Sequence, residues 1–212
     1  PEVNSSEGYV LTVTPDQVLI RATSGAGLFY GVQTMLQMAD EKGLPVGIIT
    51  DEPRFAYRGF MMDVSRHFFN KEFIKKQMDA LAYYKLNRLH LHLTDAAGWR
   101  IEIKKYPRLT EFAAWREFPT WKEWWNNGRR YEEEGSKDAH GGYYTQDDIR
   151  ELVAYAQERF ITVIPEIEMP AHSEEVLTAY PELSCTHEPY KQADFCVGNE
   201  KTFEFLENVL TE

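Results

Sequence analysis

Long hydrophobic runs are missing from this sequence. No stretch approaches the ~20 apolar residues that a bilayer-crossing helix needs, so no membrane-spanning segment is expected. Cysteine is scarce as well: Cys185 and Cys196 are the only two, which leaves room for one intramolecular bridge at most. Both lie in one polar stretch, a spacing that suits a disulfide clipping a single loop, with two free thiols as the alternative. Basic side chains are outnumbered 23 to 34, and the net charge of -11 repels phosphate backbones and anionic lipid head groups alike. Nucleic acid and membrane surfaces are therefore excluded as expected partners. The opening residues, PEVNSSEGYV, lack the basic and apolar regions of a signal peptide, so the start reads as internal.

What is present suits a folded chain. With 212 residues, 43% of them hydrophobic, a real core can be built, either as one large domain or as a small domain plus part of a bigger one. Tyr9 to Val13 and Val18 to Arg21 are β-type runs flanking Thr14-Pro15-Asp16-Gln17, where proline presets a turn, and they predict a hairpin. A helix is expected from about Gly27 to Met38. Pro45 to Pro53 reads as a linker holding a short strand.

From there the pattern alternates. Arg58 to Val64 is a nearly continuous apolar run that suits a strand buried on both faces. Asn70 can cap a helix whose Ile74, Met78, Leu81 and Ala82 share one stripe. Leu89 to Thr94 is a second strand. Thr145-Gln146-Asp147-Asp148 resembles a capping box opening a helix with Ile149, Leu152, Val153 and Ala156 on one face, and Ile161 to Ile167 is a third strand. A last amphipathic segment carries Phe203, Leu206, Val209 and Leu210. Strand, helix, strand, helix, strand predicts a parallel α/β fold, in which polar residues just past the strand ends form the active site.

Past the first strand lie Asp63, Ser65, Arg66 and His67; past the second, Asp95 and Trp99; past the third, Glu166, Glu168 and His172. A lone arginine there is more often a surface ion-pair partner, and a lone histidine a satisfied structural group; three strands delivering such groups to one rim favour function. Asp and His from neighbouring strands can pair and tune a third group, and the planar donors of Arg66 can hold vicinal hydroxyls. Trp115, Trp121, Trp124 and Trp125 could stack on sugar rings or simply pack a long loop, and packing is expected for most of them. The Glu132-Glu133-Glu134 run is expected to be a solvated face.

Three blocks carry a resemblance: Arg58-Gly59-Phe60-Met61-Met62-Asp63-Val64-Ser65-Arg66-His67-Phe68; His90-Leu91-His92-Leu93-Thr94-Asp95 with Gly98-Trp99-Arg100; and Pro165-Glu166-Ile167-Glu168-Met169-Pro170-Ala171-His172. In their order and spacing they resemble the β-N-acetylhexosaminidases of glycoside hydrolase family 20, and Gly27 to Thr34 looks like the end of the small α/β domain that precedes the barrel there. The resemblance implies an α/β fold: residues 1–50 as the end of a small α+β domain with its linker, and residues 51–212 as the first three strands and helices of a (β/α)8 TIM barrel.

It also implies a retaining, substrate-assisted hydrolysis of terminal N-acetyl-β-D-hexosamine residues through an oxazolinium ion, with no cofactor and no metal, on N-acetylhexosamine-containing glycans. Asp95 and His172 would support the acid/base glutamate; Arg66, Glu168 and Trp99 would line the substrate. The family's Gly-Gly-Asp-Glu motif does not occur in these residues, so the chain by itself is expected to be inactive and to associate through an open barrel edge. Ala96-Ala97 stands where many members have an acidic residue and glutamine, and Ala171 where glycine is common. An extracytoplasmic location is expected for the parent protein.

Two rival readings remain at this point. His90-Leu91-His92 with Asp95 and His172 could imitate a metal-dependent hydrolase, although both histidines share one face of the strand well before its end and are expected to pack the barrel. A non-catalytic sugar-binding barrel would keep Arg66 and the aromatic residues without needing an acid.

Overall fold

A computed structural model describes residues 3–212. They pack as two compact units: one takes in the residues up to Phe60 with Lys75–Leu89 and Tyr155–Thr162, the other Met61–Ile74, His90–Ala154 and Val163–Glu212. No helix among the described residues is long and apolar enough to cross a membrane.

In the first unit, β1 (Tyr9–Val13) and β2 (Val18–Ala22) form the expected hairpin, with Val13 opposite Val18. The turn is closed by Thr14 N–H donating to Gln17 O at 2.9 Å. The strand expected inside a linker is β3 (Gly47–Asp51), which pairs antiparallel with the other side of β1 and completes a sheet of order β2-β1-β3. Helix α1 (Gly25–Met38) starts where the Ser24 hydroxyl accepts from Ala26 N and Gly27 N, satisfying two of the donors a helix start leaves free. Tyr9, Leu11, Val13 and Tyr30 make the small core between helix and sheet.

The barrel-type alternation follows: β4 (Gly59–Asp63), α2 (Lys71–Tyr83), β5 (Arg88–His92), β6 (Thr94–Asp95), β7 (Gly98–Trp99), α3 (Arg108–Glu111), β8 (Trp115–Arg116), α4 (Trp121–Asn126), β9 (His140–Gly141), α5 (Gln146–Gln157), β10 (Thr162–Glu166), α6 (Glu174–Ala179) and α7 (Glu200–Thr211). β10, β5 and β4 lie side by side in that order as a parallel sheet. Asn70 Oδ1 accepts from Phe73 N at 2.9 Å, and Ile74, Met78, Leu81 and Ala82 are buried, as their spacing predicts. At α5 the capping box is reciprocal: Thr145 Oγ1 accepts from Asp148 N, and Asp148 Oδ2 accepts from Thr145 N.

Three sequence expectations are corrected. Phe60 and Met61 of β4 are exposed rather than buried on both faces, because β4 is an edge strand and three strands provide no opposite wall. Leu152 and Ala156 of α5 are buried, but Val153 is exposed. On α7 the buried face is Thr202, Phe205 and Val209, while Phe203 and Leu210 face solvent. Two apolar faces overlap on that helix, and the one buried is the one whose phenylalanine meets Trp99, Tyr106, Tyr180 and Phe195.

The second unit's core gathers Trp99, Ile103, Leu109, Val176, Leu177, Leu183 and Phe205, with a satellite of Ala96, Ala97, Trp124 and Tyr131 under the long loop after β7. Cys185 and Cys196 are joined by a disulfide across eleven residues.

Candidate functional site

The site grows out of the three strand ends. Backbone bonds from Val64 N to His92 O and from Leu93 N to Glu166 O, both 3.3 Å, align them. After β4 the chain turns sharply because Asp63 Oδ1 accepts from the N–H groups of both Ser65 and Arg66, at 3.0 and 2.9 Å. The same carboxylate takes Arg66 Nη1 on its other oxygen at 2.9 Å, so the turn aims the guanidinium inward. The buried Ser65 hydroxyl sits against the carbonyls of Asp95 and Gly98, at 3.2 and 2.8 Å, fixing the short β6–β7 hairpin. Glu168 N–H donates to Thr94 Oγ1 at 2.7 Å and places the loop after β10.

All three groups expected to meet do so on one atom. Asp95 Oδ2 lies 2.6 Å from Arg66 Nη2, 3.1 Å from His172 Nδ1 and 3.1 Å from His92 Nε2. Asp95 is buried, whereas His172 is exposed and approaches from the open side. His172 also has φ 53°, a left-handed backbone that costs a non-glycine residue ~1 kcal/mol or more, and here that conformation turns the ring toward Asp95.

His92 is the residue the sequence reading missed. It and His90 were expected to pack the barrel; instead His92 joins Asp95 to Glu166, with Nδ1 2.9 Å from Glu166 Oε2, and His90 Nε2 reaches the same oxygen at 2.6 Å. The hydrogen bond to Asp95 pushes the His92 pKa up to about 9; burial opposes this, and Glu166 reinforces it. Doubly protonated, the ring donates to both carboxylates. Its Nε2 therefore has no lone pair for Arg66 Nη1, and that 3.0 Å approach is held by the Asp95 carboxylate they share, not by a bond of its own.

Burial alone would raise the Asp95 pKa, but the His92 hydrogen bond and the charges of Arg66 and His172 outweigh it and hold the carboxyl below its ordinary value. Glu166 likewise ends below its ordinary value: burial raises it, while the two histidines lower it further than that. Glu168 shifts the other way, raised by burial, by its hydrogen bond to Glu166 and by that neighbour's charge.

His92, Asp95 and Glu168 do bring one potential metal-ligand atom each within 4.8 Å of one another. Both His92 nitrogens are engaged as donors, and Arg66 already supplies the positive charge at Asp95, so the group is built as a hydrogen-bonded ion network.

Trp99, expected to line the substrate, is corrected: it is 1% exposed, packs on Phe205, and donates its indole N–H to Ile101 O at 2.6 Å. The two-residue strand β7 places Trp99 opposite Thr94, which turns the ring into the core. Of the loop tryptophans, Trp124 is fully buried, Trp115 is half-buried, and Trp121 and Trp125 are exposed and stacked on one another at 5.4 Å.

Beneath the hairpin, Arg100 is buried and donates to the carbonyls of Val64, Ser65, Ala97, Ala114 and Gly142. Gly98 is required there, since a Cβ would occupy the space of this guanidinium. Glu175 is also fully buried, its Oε2 has no hydrogen-bond partner among the described residues, and burial raises its pKa well above the ordinary carboxylate value.

Comparison with known proteins agrees with this architecture. Residues 55–212 match the family model "Glycosyl hydrolase family 20, catalytic domain", and residues 1–52 match "Glycosyl hydrolase family 20, domain 2". The chain belongs to glycosyl hydrolase family 20. A beta-hexosaminidase of Porphyromonas gingivalis is 43% identical over 97% of this chain and 27% of its own length. One from Akkermansia muciniphila is 41% identical over 92% of this chain and 38% of its own. The chain thus spans well under half of these relatives.

Among solved structures, the beta-N-acetylhexosaminidase of Bacteroides fragilis superimposes with a TM-score of 0.81 at 38% identity, covering 98% of this chain and 40% of that one. The Vibrio harveyi exo beta-N-acetylglucosaminidase in complex with N-acetylglucosamine gives 0.82 at 35%, covering 98% and 34%.

Proposed function

We propose that the protein to which these residues belong is a β-N-acetylhexosaminidase that releases terminal non-reducing N-acetyl-β-D-hexosamine from glycans with retention of configuration. The observation that carries this reading is the convergence of Arg66, His92 and His172 on Asp95 Oδ2 at the ends of the strands. In this reading the substrate's 2-acetamido carbonyl oxygen attacks the anomeric carbon. The C1–O bond breaks as a glutamic acid gives its proton to the leaving oxygen, and water then opens the oxazolinium ion. Asp95 and His172 act as a positioning pair that orients the proton donor and tunes its acidity. Arg66 keeps donors beyond its two ion pairs, and with Glu168 at the rim it holds sugar hydroxyls.

Residues 1–50 close a small α/β domain and residues 51–212 open the catalytic barrel; the proton donor and the carboxylate orienting the acetamido group come from the remainder of the barrel. The disulfide supports work in an oxidising, extracytoplasmic compartment. Full-length protein carrying both thiols free in the cytoplasmic fraction would contradict that part.

Turnover of nitrophenyl N-acetyl-β-glucosaminide by the full-length protein tests the reading. Arg66→Ala is expected to raise KM, and His172→Ala to lower kcat with KM held. Each lowers kcat/KM by at least roughly tenfold, the value of a lost charge-assisted hydrogen bond. Unchanged rates in both variants reject the assignment.

A further inference from the structure

Asp95, His172 and Arg66 have roles in the proposed reaction; the group that ties them to β10 has none. His92 lies inside β5, is 5% exposed, and has both ring nitrogens committed. Its Nε2 stands 3.1 Å from Asp95 Oδ2 and its Nδ1 2.9 Å from Glu166 Oε2. Glu166 is the last residue of β10, the strand beside β5, so one imidazole spans two neighbouring strand ends.

The bridge works only with a proton on each nitrogen. A neutral imidazole has one N–H, so it donates to one of these carboxylates and turns a lone pair on the other. With Nε2 bare, the ring would also accept from Arg66 Nη1, 3.0 Å away, and compete with Asp63 and Asp95 for that guanidinium. The surrounding charges favour the protonated form. Asp95 and Glu166 face the two nitrogens, and Asp63 at the end of β4 adds a further negative charge. Arg66, the opposing charge, is itself paired with Asp63 and Asp95. His90 reaches the same Glu166 oxygen, His172 reaches Asp95, and Glu168 completes the cluster. Without the charge on His92, the buried Asp95 carboxylate loses a cation where water cannot replace it.

We propose that His92 is a positioning residue of the hexosaminidase reaction: its two donated hydrogen bonds hold the Asp95–His172 pair in the orientation that the proton donor needs, with Glu166 as the anchor on the next strand. The ring itself does not touch the sugar. Glu166 thereby acts at one further remove, through its charge. This inference rests on the hexosaminidase reading and gives a role to a residue that reading leaves idle.

Turnover of nitrophenyl N-acetyl-β-glucosaminide by the full-length protein and by His92→Gln, from about pH 6 to about pH 10 and well below both thermal midpoints, tests the proposal. His92→Gln is expected to lower kcat about tenfold or more at neutral pH with KM within about twofold, because Arg66 keeps both of its ion pairs. Titrations common to both proteins cancel in the ratio of their kcat values, and that ratio should shrink above about pH 9, where the parent's ring becomes neutral. Loosening of the fold alone would not give that pH dependence. Glu166→Gln removes one of the two acceptor charges and serves if the first variant does not fold. It is expected to lower the pH at which the His92 imidazole titrates, followed by NMR, and to lower kcat with it. A kcat ratio near one at neutral pH, a ratio flat across the range, or an unchanged kcat in Glu166→Gln overturns the positioning role and leaves the hexosaminidase reading in place. An inactive parent, or unchanged rates in Arg66→Ala and His172→Ala, overturns that reading and this role with it.

Discussion

Replacing His92 by glutamine keeps a side chain of similar reach but removes the proton that links Asp95 to Glu166. In the folded chain that imidazole stays protonated up to about pH 9, against an ordinary 6.5. Between those two values the native state therefore binds one more proton than the unfolded chain. With the native state holding the extra proton, unfolding free energy must fall as pH rises, by about 1.4 kcal/mol per pH unit. The stabilisation is complete below pH 6.5, is lost across the window up to about 9, and amounts to about 3 kcal/mol. His92 is 5% exposed, so solvent screening does little to reduce it. Urea unfolding from about pH 6 to about pH 10 on the original chain and on His92→Gln isolates the effect, because groups common to both cancel in the difference. The two curves should lie ~3 kcal/mol apart at the acidic end and draw together above pH 9. Parallel curves, or an imidazole NMR signal that titrates near 6.5, would refute the network.

Two further substitutions probe the framework. Trp99→Ala removes a fully buried indole and is expected to cost ~3–5 kcal/mol in urea unfolding while leaving sugar affinity per folded molecule unchanged; an affinity loss without a stability loss would restore Trp99 to the binding surface. Gly98→Ala drives a methyl group into the Arg100 guanidinium and should cost ~1–3 kcal/mol, seen as a lower thermal midpoint; a neutral result would mean that the hairpin and Arg100 move apart freely.

The strand-end rule made much of the site legible, because Asp63, Arg66, Asp95, Glu166, Glu168 and His172 each follow an apolar run and break its pattern. His92 was hidden for the opposite reason. It lies within a strand, and its value depends on Glu166 standing on the adjacent strand, which requires the strand order to be known. Arg100 and Arg116 gave no signal because their partners are backbone carbonyls of distant loops, and no residue type marks those.

Amphipathic spacing worked where a helix had one apolar face, as in α2, and failed where two faces competed, as in α7, where tertiary contacts choose. Trp99 misled because a strand of two residues carries no alternation from which its facing could be read.

One arginine organises more of this chain than any motif would suggest. The carbonyls that Arg100 serves come from the turn after β4, the β6–β7 hairpin, the segment before β8 and the residue after β9, segments far apart in the sequence. A single planar side chain thus does for these loops what a strand does for its neighbours. Lysine would preserve the charge but brings three hydrogens to five acceptors, leaving at least two carbonyls dry.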